Sequence, residues 1–327
     1  MSGSYSKINY RLRPAKAVER KIICDSLRCL SPFGDLATYR YIGFGSTYFS
    51  DFILFHKSLH IGKNRGDMIS IEKDKHAKER FEYNKPFGCI DIKYGNSSEI
   101  LPTITWDRKS IVWLDYDDPL KIEVLDDIDL LIGKLVSGSV LIVTISAEPE
   151  RPSEEDLSME KLDEFRRSKL RERLPNEKIP INLQSTDLTG KRLADLYKRI
   201  IDNQLEQSLA TTNSARSNRE KLEYRQVFNF RYADGSRMLT IGWLIYEQGY
   251  YDVANQCNFN KHFNVDMEKE PYEIKVPNLT TKEIQYLDCQ MPTGDCDVLD
   301  RKCIPLKDVK CYAQLYKYFP SFVEMLM

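Results

Sequence analysis

Residues 39–60 read "YRYIGFGSTYFSDFILFHKSLH", an apolar run that stops at Gly43 and Gly45 and resumes with Phe49, Phe52, Ile53, Phe55 and Leu59 at helical spacing. The stretch predicts a strand, a glycine turn and an amphipathic helix in succession. Glycine lets a backbone turn tightly or approach a ligand closely, and a following helix offers unpaired N–H groups in its first turn. A Gly-x-Gly turn alone does not separate a plain connection from a ligand loop, so its meaning depends on its neighbours.

On the N-terminal side, "AKAVERKIICDSLRCL" sets Val18, Ile22, Leu27 and Leu30 close to one helical face. On the C-terminal side, "DMISIEKD", "CIDIKYGNSSEILP", "SIVWLDYDDPL" and "SVLIVTISAEP" are apolar runs of strand length. Helical patterns in "HAKERFEYNK" and "DDIDLLIGKLVSGS" lie between them, the second stopped by Gly138. Strands alternating with helices in this way predict βαβ units and a mostly parallel sheet covered on both faces. Residues 150–225 break the rhythm with two strongly helical stretches, read as an inserted substrate cap. "QVFNFRYADGSRMLTIGWLIYEQ" then returns to strands around Asp234-Gly235, a hairpin signal that closes the sheet with an antiparallel pair. The fold class is α/β. The chain divides into a Rossmann-like core over 1–149, a helical insertion over 150–225, terminal strands over 226–265 and a small helical C-terminal unit over 266–327.

A chain of 327 residues can bury a sizeable core, and 42% hydrophobic with 30% charged content is ordinary for a globular protein. No apolar stretch approaches the roughly 18 residues of a membrane span, and the N-terminus lacks the apolar core of a secretion signal. The expectation is a cytoplasmic protein with no membrane partner. Eight cysteines are too sparse for a disulfide scaffold and read mostly as core thiols. A net charge of −1 gives no global sign of a nucleic-acid partner. Residues 1–30, however, carry seven Lys or Arg against two acids, an excess of +5. Arg13 and Lys16, beside Pro14 at a helix start, are therefore candidate anion-binding residues.

In an open parallel sheet, ligands bind outside the carboxyl ends of the strands. Four strand exits here are polar: "GFGS", then Glu72 in "ISIEKD" where ribose hydroxyls are usually gripped, then Asn96 and Ser97 in "YGNSSE", able to bond an adenine, then Asp115, Asp117 and Asp118 in "LDYDDP". A dinucleotide fingerprint needs a third glycine three residues after the second, and Tyr48 stands there. No Gly-Lys-Ser/Thr follows, which excludes a Walker phosphate loop. S-adenosylmethionine remains, having no pyrophosphate and tolerating a looser turn.

The order "YIGFGS", "ISIEKD", "YGNSSE", "VWLDYDDP", an apolar strand and a hairpin-linked terminal pair resembles the class I S-adenosylmethionine-dependent methyltransferases, whose seven-stranded sheet has its last strand inserted antiparallel. More narrowly, "RLRPAKAVER", "YIGFGSTYFSDF" and "LDYD" are similar to bacterial proteins labelled O-methyltransferases, with a looser likeness to three-Cys-motif partner proteins. The resemblance spans about residues 8–148 and 226–248. It implies that Gly43, Gly45 and Ser46 line the methionine part of the cofactor, that Glu72 holds its ribose, that Asn96 and Ser97 flank adenine, and that Asp115 and Tyr116 close the pocket beside the methyl group. The family usually carries an acid two residues before the first glycine, paired with the cofactor's ammonium. This sequence has Tyr41 there.

Methyl transfer to oxygen or nitrogen needs alignment and a destination for a proton, and Asp117 is the candidate base, with a helix-capping acid as the bland alternative. A different function class is open as well: a methyltransferase fold acting as a nucleotide or cofactor sensor, or as a binding partner in a bacterial multi-protein system, defence included. The insertion and the C-terminal unit are the surfaces for such a partner. Arg166, Lys169 and Arg173 share one helical face that could follow a nucleic-acid backbone. Residues 151–225 nevertheless balance 16 Lys or Arg against 14 acids, which favours a salt-bridged surface helix. Cys289, Cys296, Cys303 and Cys311 are too widely spaced for zinc and read as core thiols, so no metal is expected.

Overall fold

The computed structural model describes residues 13–152, 158–259 and 270–320. Lys7 and Arg11 of the basic N-terminal stretch lie outside them, as do the first residues of the insertion's helical pattern and the end of the C-terminal one. The strands are β1 (Arg40–Gly43), β2 (Met68–Glu72), β3 (Ile90–Tyr94), β4 (Ser110–Pro119), β5 (Ser139–Ser146), β6 (Leu222–Ala233), β7 (Arg237–Glu247) and β8 (Tyr272–Glu273). They form one sheet in the order β3-β2-β1-β4-β5-β7-β6-β8. Pairing is parallel from β3 through to β5, and β7 is inserted antiparallel between β5 and β6. The parallel sheet with a hairpin-linked terminal pair is the expected one. An eighth strand is added: β8 pairs parallel with β6 at Phe230 and Arg231.

Side-chain alternation decides the layering. In β4, Ile111 and Trp113 face one core while Val112 and Leu114 face the other, and β5 splits Val140 and Ile142 from Leu141 and Val143 in the same way. The first core is covered by α1 (Pro14–Ser26), α2 (Ser50–Leu59), α3 (Lys78–Asn84) and α8 (Tyr251–Gln256), through Ile22, Phe52, Phe81 and Ala254 among others. The second is covered by α5 (Ile122–Lys134) and α7 (Arg192–Asn213), through Ile128, Leu131, Leu196 and Ile200. The short α4 (Ser97–Ile100) and α6 (Met159–Arg173) lie on this second side.

The stretch read as a cap therefore divides. Helix α7 has a continuous apolar face and is a covering helix of the sheet, the crossover between β5 and β6, whereas α6 buries only Leu170. Its cations find acids or carbonyls in the chain: Arg173 meets Glu150 at 2.5 Å, Lys169 meets Glu172 at 2.6 Å and Arg166 donates to the Glu150 carbonyl at 3.2 Å. The hairpin turns at Asp234-Gly235, with Gly235 at φ +95° where a side chain would be strained.

The C-terminal helices α9 (Thr281–Asp288) and α10 (Leu306–Leu315) enclose a separate small core of Leu287, Ile304, Val309 and Tyr312. The reading of the four cysteines there as core thiols is corrected. Cys289 and Cys303 are exposed and Cys296 and Cys311 half-buried, because so small a core cannot enclose them. Of all eight, Cys24 and Cys257 are buried. Among the described residues, no helix is long and apolar enough to cross a membrane, and no group of three His, Cys, Asp or Glu is placed to hold a metal.

Candidate active site

The loop after β1 is closed over the end of β2. The backbone N–H of Gly45 donates to Glu72 Oε1 and to Ser70 Oγ, each at 3.0 Å, and Ser70 Oγ donates to the same carboxylate at 2.7 Å. A Cβ on Gly45 would lie 2.5 Å from Ser70 Oγ and 2.7 Å from the Phe49 ring, so this glycine is required for close approach rather than for its φ. Strain sits beside it: Ser46 (φ +50°) and Phe49 (φ +47°) are both left-handed. Burial pushes the Glu72 carboxyl up to about 7, against the pull of Ser70 and of the Gly45 N–H. Thr47 Oγ1, in the same loop, is buried and has no hydrogen-bond partner among the described residues. A buried carboxylate with no cation beside it suits a ligand carrying hydroxyl donors.

Tyr41, at the position where an acid was looked for, is fully buried and donates its hydroxyl to Asp51 in the first turn of α2. The sequence reading missed Asp51. Removal from water raises its carboxyl, and the Arg20 guanidinium draws it back down. An acid is thus present beside Tyr41, supplied by the next helix.

The exit of β4 meets another unanticipated acid. Tyr116 donates to Asp127 of α5 at 2.6 Å, and the centre of its ring lies 5.1 Å from that of Phe44 in the glycine loop, edge to face. Burial raises the Asp127 carboxyl. Asn96 is exposed at the N-cap of α4, where Glu99 reaches back to its backbone N–H at 3.1 Å.

Helix α1 closes the other side. Lys16 is 1% exposed, and its ammonium lies 2.8 Å from both Asp115 and Glu19 and 4.6 Å from the centre of the Trp113 ring. Burial raises the fully enclosed Glu19 carboxyl and Lys16 opposes it. Glu19 also accepts from Thr240, which pairs with Thr144 at 2.7 Å, and Thr144 takes the Trp113 N–H at 3.0 Å. Asp234, from the hairpin turn, accepts the backbone N–H of Ala15 and Lys16 at 3.1 and 2.8 Å. Arg13 lies 3.8 Å from Asp117. The two residues read as anion-binding thus have internal anions close by, and two of these, Asp115 and Asp117, are acids read as site residues.

The chain matches, over residues 8–327, the model of a family described as "Putative O-methyltransferase". It belongs to this family. The matched residues take in every strand and every loop just described. No curated protein matches it in sequence. Among solved structures it is similar to the O-methyltransferase TomG of Streptomyces achromogenes, involved in tomaymycin synthesis and bound to S-adenosylmethionine, at 13% identity and a TM-score of 0.36, over 73% of this chain and 91% of that one. It is similar to an O-methyltransferase of Bacillus cereus in complex with S-adenosylhomocysteine at 10% identity and a TM-score of 0.35, over 72% and 91%. LepI in complex with S-adenosylmethionine matches at 10% identity and a TM-score of 0.34; 64% of this chain covers 43% of that one, less than half its length.

Proposed function

We propose that this O-methyltransferase family member transfers a methyl group from S-adenosylmethionine to an oxygen or nitrogen nucleophile. The observation that carries the reading is Glu72, a buried carboxylate at the end of β2 held 3.0 Å from the Gly45 N–H under a left-handed loop. Its second oxygen and the unpaired Thr47 hydroxyl suit the hydroxyls of a ribose, while Gly43, Gly45 and Ser46 border the methionine part. Asp51 supplies the carboxylate for a ligand ammonium in place of an acid at Tyr41. Tyr116, tied to Asp127, with Asn96 and Ser97 at the start of α4, forms the adenine side.

The bound cofactor supplies an electrophilic methyl on a sulfonium. The chain's own residues then have two tasks: aligning the acceptor in line with that methyl, and receiving a proton. Asp115 is anchored by Lys16 and orients the wall of the site, while Asp117, beside Arg13, is the group for the proton. Calorimetry with S-adenosylmethionine and with its demethylated product tests the reading on wild type and Glu72→Ala. Binding by the wild type that Glu72→Ala weakens is expected. A wild type that binds neither compound sinks the proposal.

A further inference from the structure

A cavity of about 440 Å³ opens at the same edge of the sheet, one step along from the cofactor loops. Its walls come from the start of α1, from Ala147 just past β5, from the β6–β7 turn and from the segment after β8. Ala147, Met238, Ile274 and Val276 give it an apolar body, and its size is that of a small-molecule site. Lys191, Arg231, Arg237 and Lys275 line it with two acids, Asp234 and Glu273. Arg231 and Arg237 pair with Asp195 and Glu148 outside the lining, so the surplus of positive charge is that of Lys191 and Lys275.

Both acids are already engaged. Asp234 accepts the two backbone N–H groups of α1. Glu273 is shared by Lys191 and by Lys275, the latter at 2.7 Å, so two ammoniums divide one carboxylate. Two lining side chains also carry buried polar atoms with no hydrogen-bond partner among the described residues: the hydroxyl of Tyr232, a residue 5% exposed, and Nε of Arg231. Tyr232 ties this cavity to the site above. The Lys16 ammonium lies 5.7 Å from the centre of its ring and 2.8 Å from Asp115, so one layer of side chains joins the cavity to the end of β4.

We infer that this cavity receives the methyl acceptor, and that the acceptor is a small hydroxyl compound with an apolar body and a carboxylate or phosphate for Lys191 and Lys275. The inference rests on the methyltransferase reading. In the step, the acceptor oxygen uses a lone pair to form a bond to the methyl carbon, the carbon–sulfur bond breaks with its electron pair left on sulfur, and the hydroxyl proton passes to Asp117 or water.

Calorimetry on the full chain with 4-hydroxybenzoate, 4-hydroxyphenyl phosphate and uncharged 4-hydroxybenzyl alcohol tests it, each in the presence of S-adenosylhomocysteine. At least one acidic probe should bind about tenfold tighter than the alcohol, and the tighter of the two identifies the acid. The exposed pair Lys191→Gln with Lys275→Gln should remove about tenfold of that affinity, with melting temperature and S-adenosylhomocysteine binding unchanged. Equal affinity for the alcohol, no binding of either acid at millimolar concentration, or an unaltered acid affinity in the double variant overturns the inference while leaving the cofactor reading in place. Failure of S-adenosylhomocysteine itself to bind overturns the cofactor reading, and the acceptor role with it.

Discussion

The carboxyl edge of the sheet is held together differently in its two halves. Over β1 and β2, the contacts join Gly45, Ser70 and Glu72, groups at successive strand exits, and they leave one buried carboxylate with N–H and O–H partners but no cation. Over β4 to β7, the contacts run from α1 across most of the chain: Lys16 to Asp115, Glu19 to Thr240, and Asp234 back to the α1 backbone. Charge there is matched by charge. The difference teaches how the two halves use their buried polar groups. The first half keeps an unfavourable carboxylate in place, as a site awaiting hydroxyl donors does; the second spends its polar groups on fixing α1 against the sheet.

Changes in the second half should therefore cost the most stability. Lys16→Met leaves Glu19 buried without its cation and should destabilise the fold by about 3–5 kcal/mol in chemical denaturation. A loss too small to measure would mean that α1 is not anchored by this ion pair.

Changes in the first half should separate stability from binding. The folded Glu72 carboxyl titrates near 7 against an ordinary value of 4.5, so between those values the folded chain holds a proton that the unfolded chain has released. Its contribution thus lowers stability as pH rises through that window, by roughly 3 kcal/mol in all. Glu72→Gln should remove this slope and be the more stable protein above pH 7, which melting curves across the window would show. An unchanged slope would refute the burial argument.

Gly45→Ala tests the close approach directly. Its new Cβ meets Ser70 and the Phe49 ring well inside contact distance, so a cost of about 1–3 kcal/mol is expected together with lost affinity for the cofactor product. Normal binding in a stable variant would reduce the loop to a plain turn. Arg13→Ala should matter least to stability, under about 1 kcal/mol, since its pair with Asp117 is long and partly solvated. A larger loss would move Arg13 into the α1 anchor.

This contrast also explains what could be read from the sequence. Strand exits are visible one at a time, so Gly45, Glu72 and Ser97 could be picked out at them, along with the hairpin at Asp234-Gly235. Partners brought in by packing were not visible. Asp51 reads as a helix-start acid and Asp127 as one acid among several in "DDIDLL", and nothing in "AKAVER" marks Glu19 and Lys16 as buried, which they are. The signal for α1 was present in its apolar face, but nothing local shows that Lys16 points inward: one of its two anions, Asp115, lies 99 residues away, and Glu19 beside it is buried only by the fold. The same limit made α7 look like a cap: an amphipathic helix does not state which sheet it covers.

The central claim is that Glu72 grips the ribose of the cofactor, and its most direct test is the affinity for S-adenosylhomocysteine measured by calorimetry below and above pH 7 in wild type and Glu72→Gln. Hydroxyl donors bind the ionised carboxylate best, so wild-type affinity should strengthen as pH rises through about 7, and the variant should bind about tenfold more weakly with that pH dependence lost. Equal affinity in the two proteins on both sides of that pH would contradict the account.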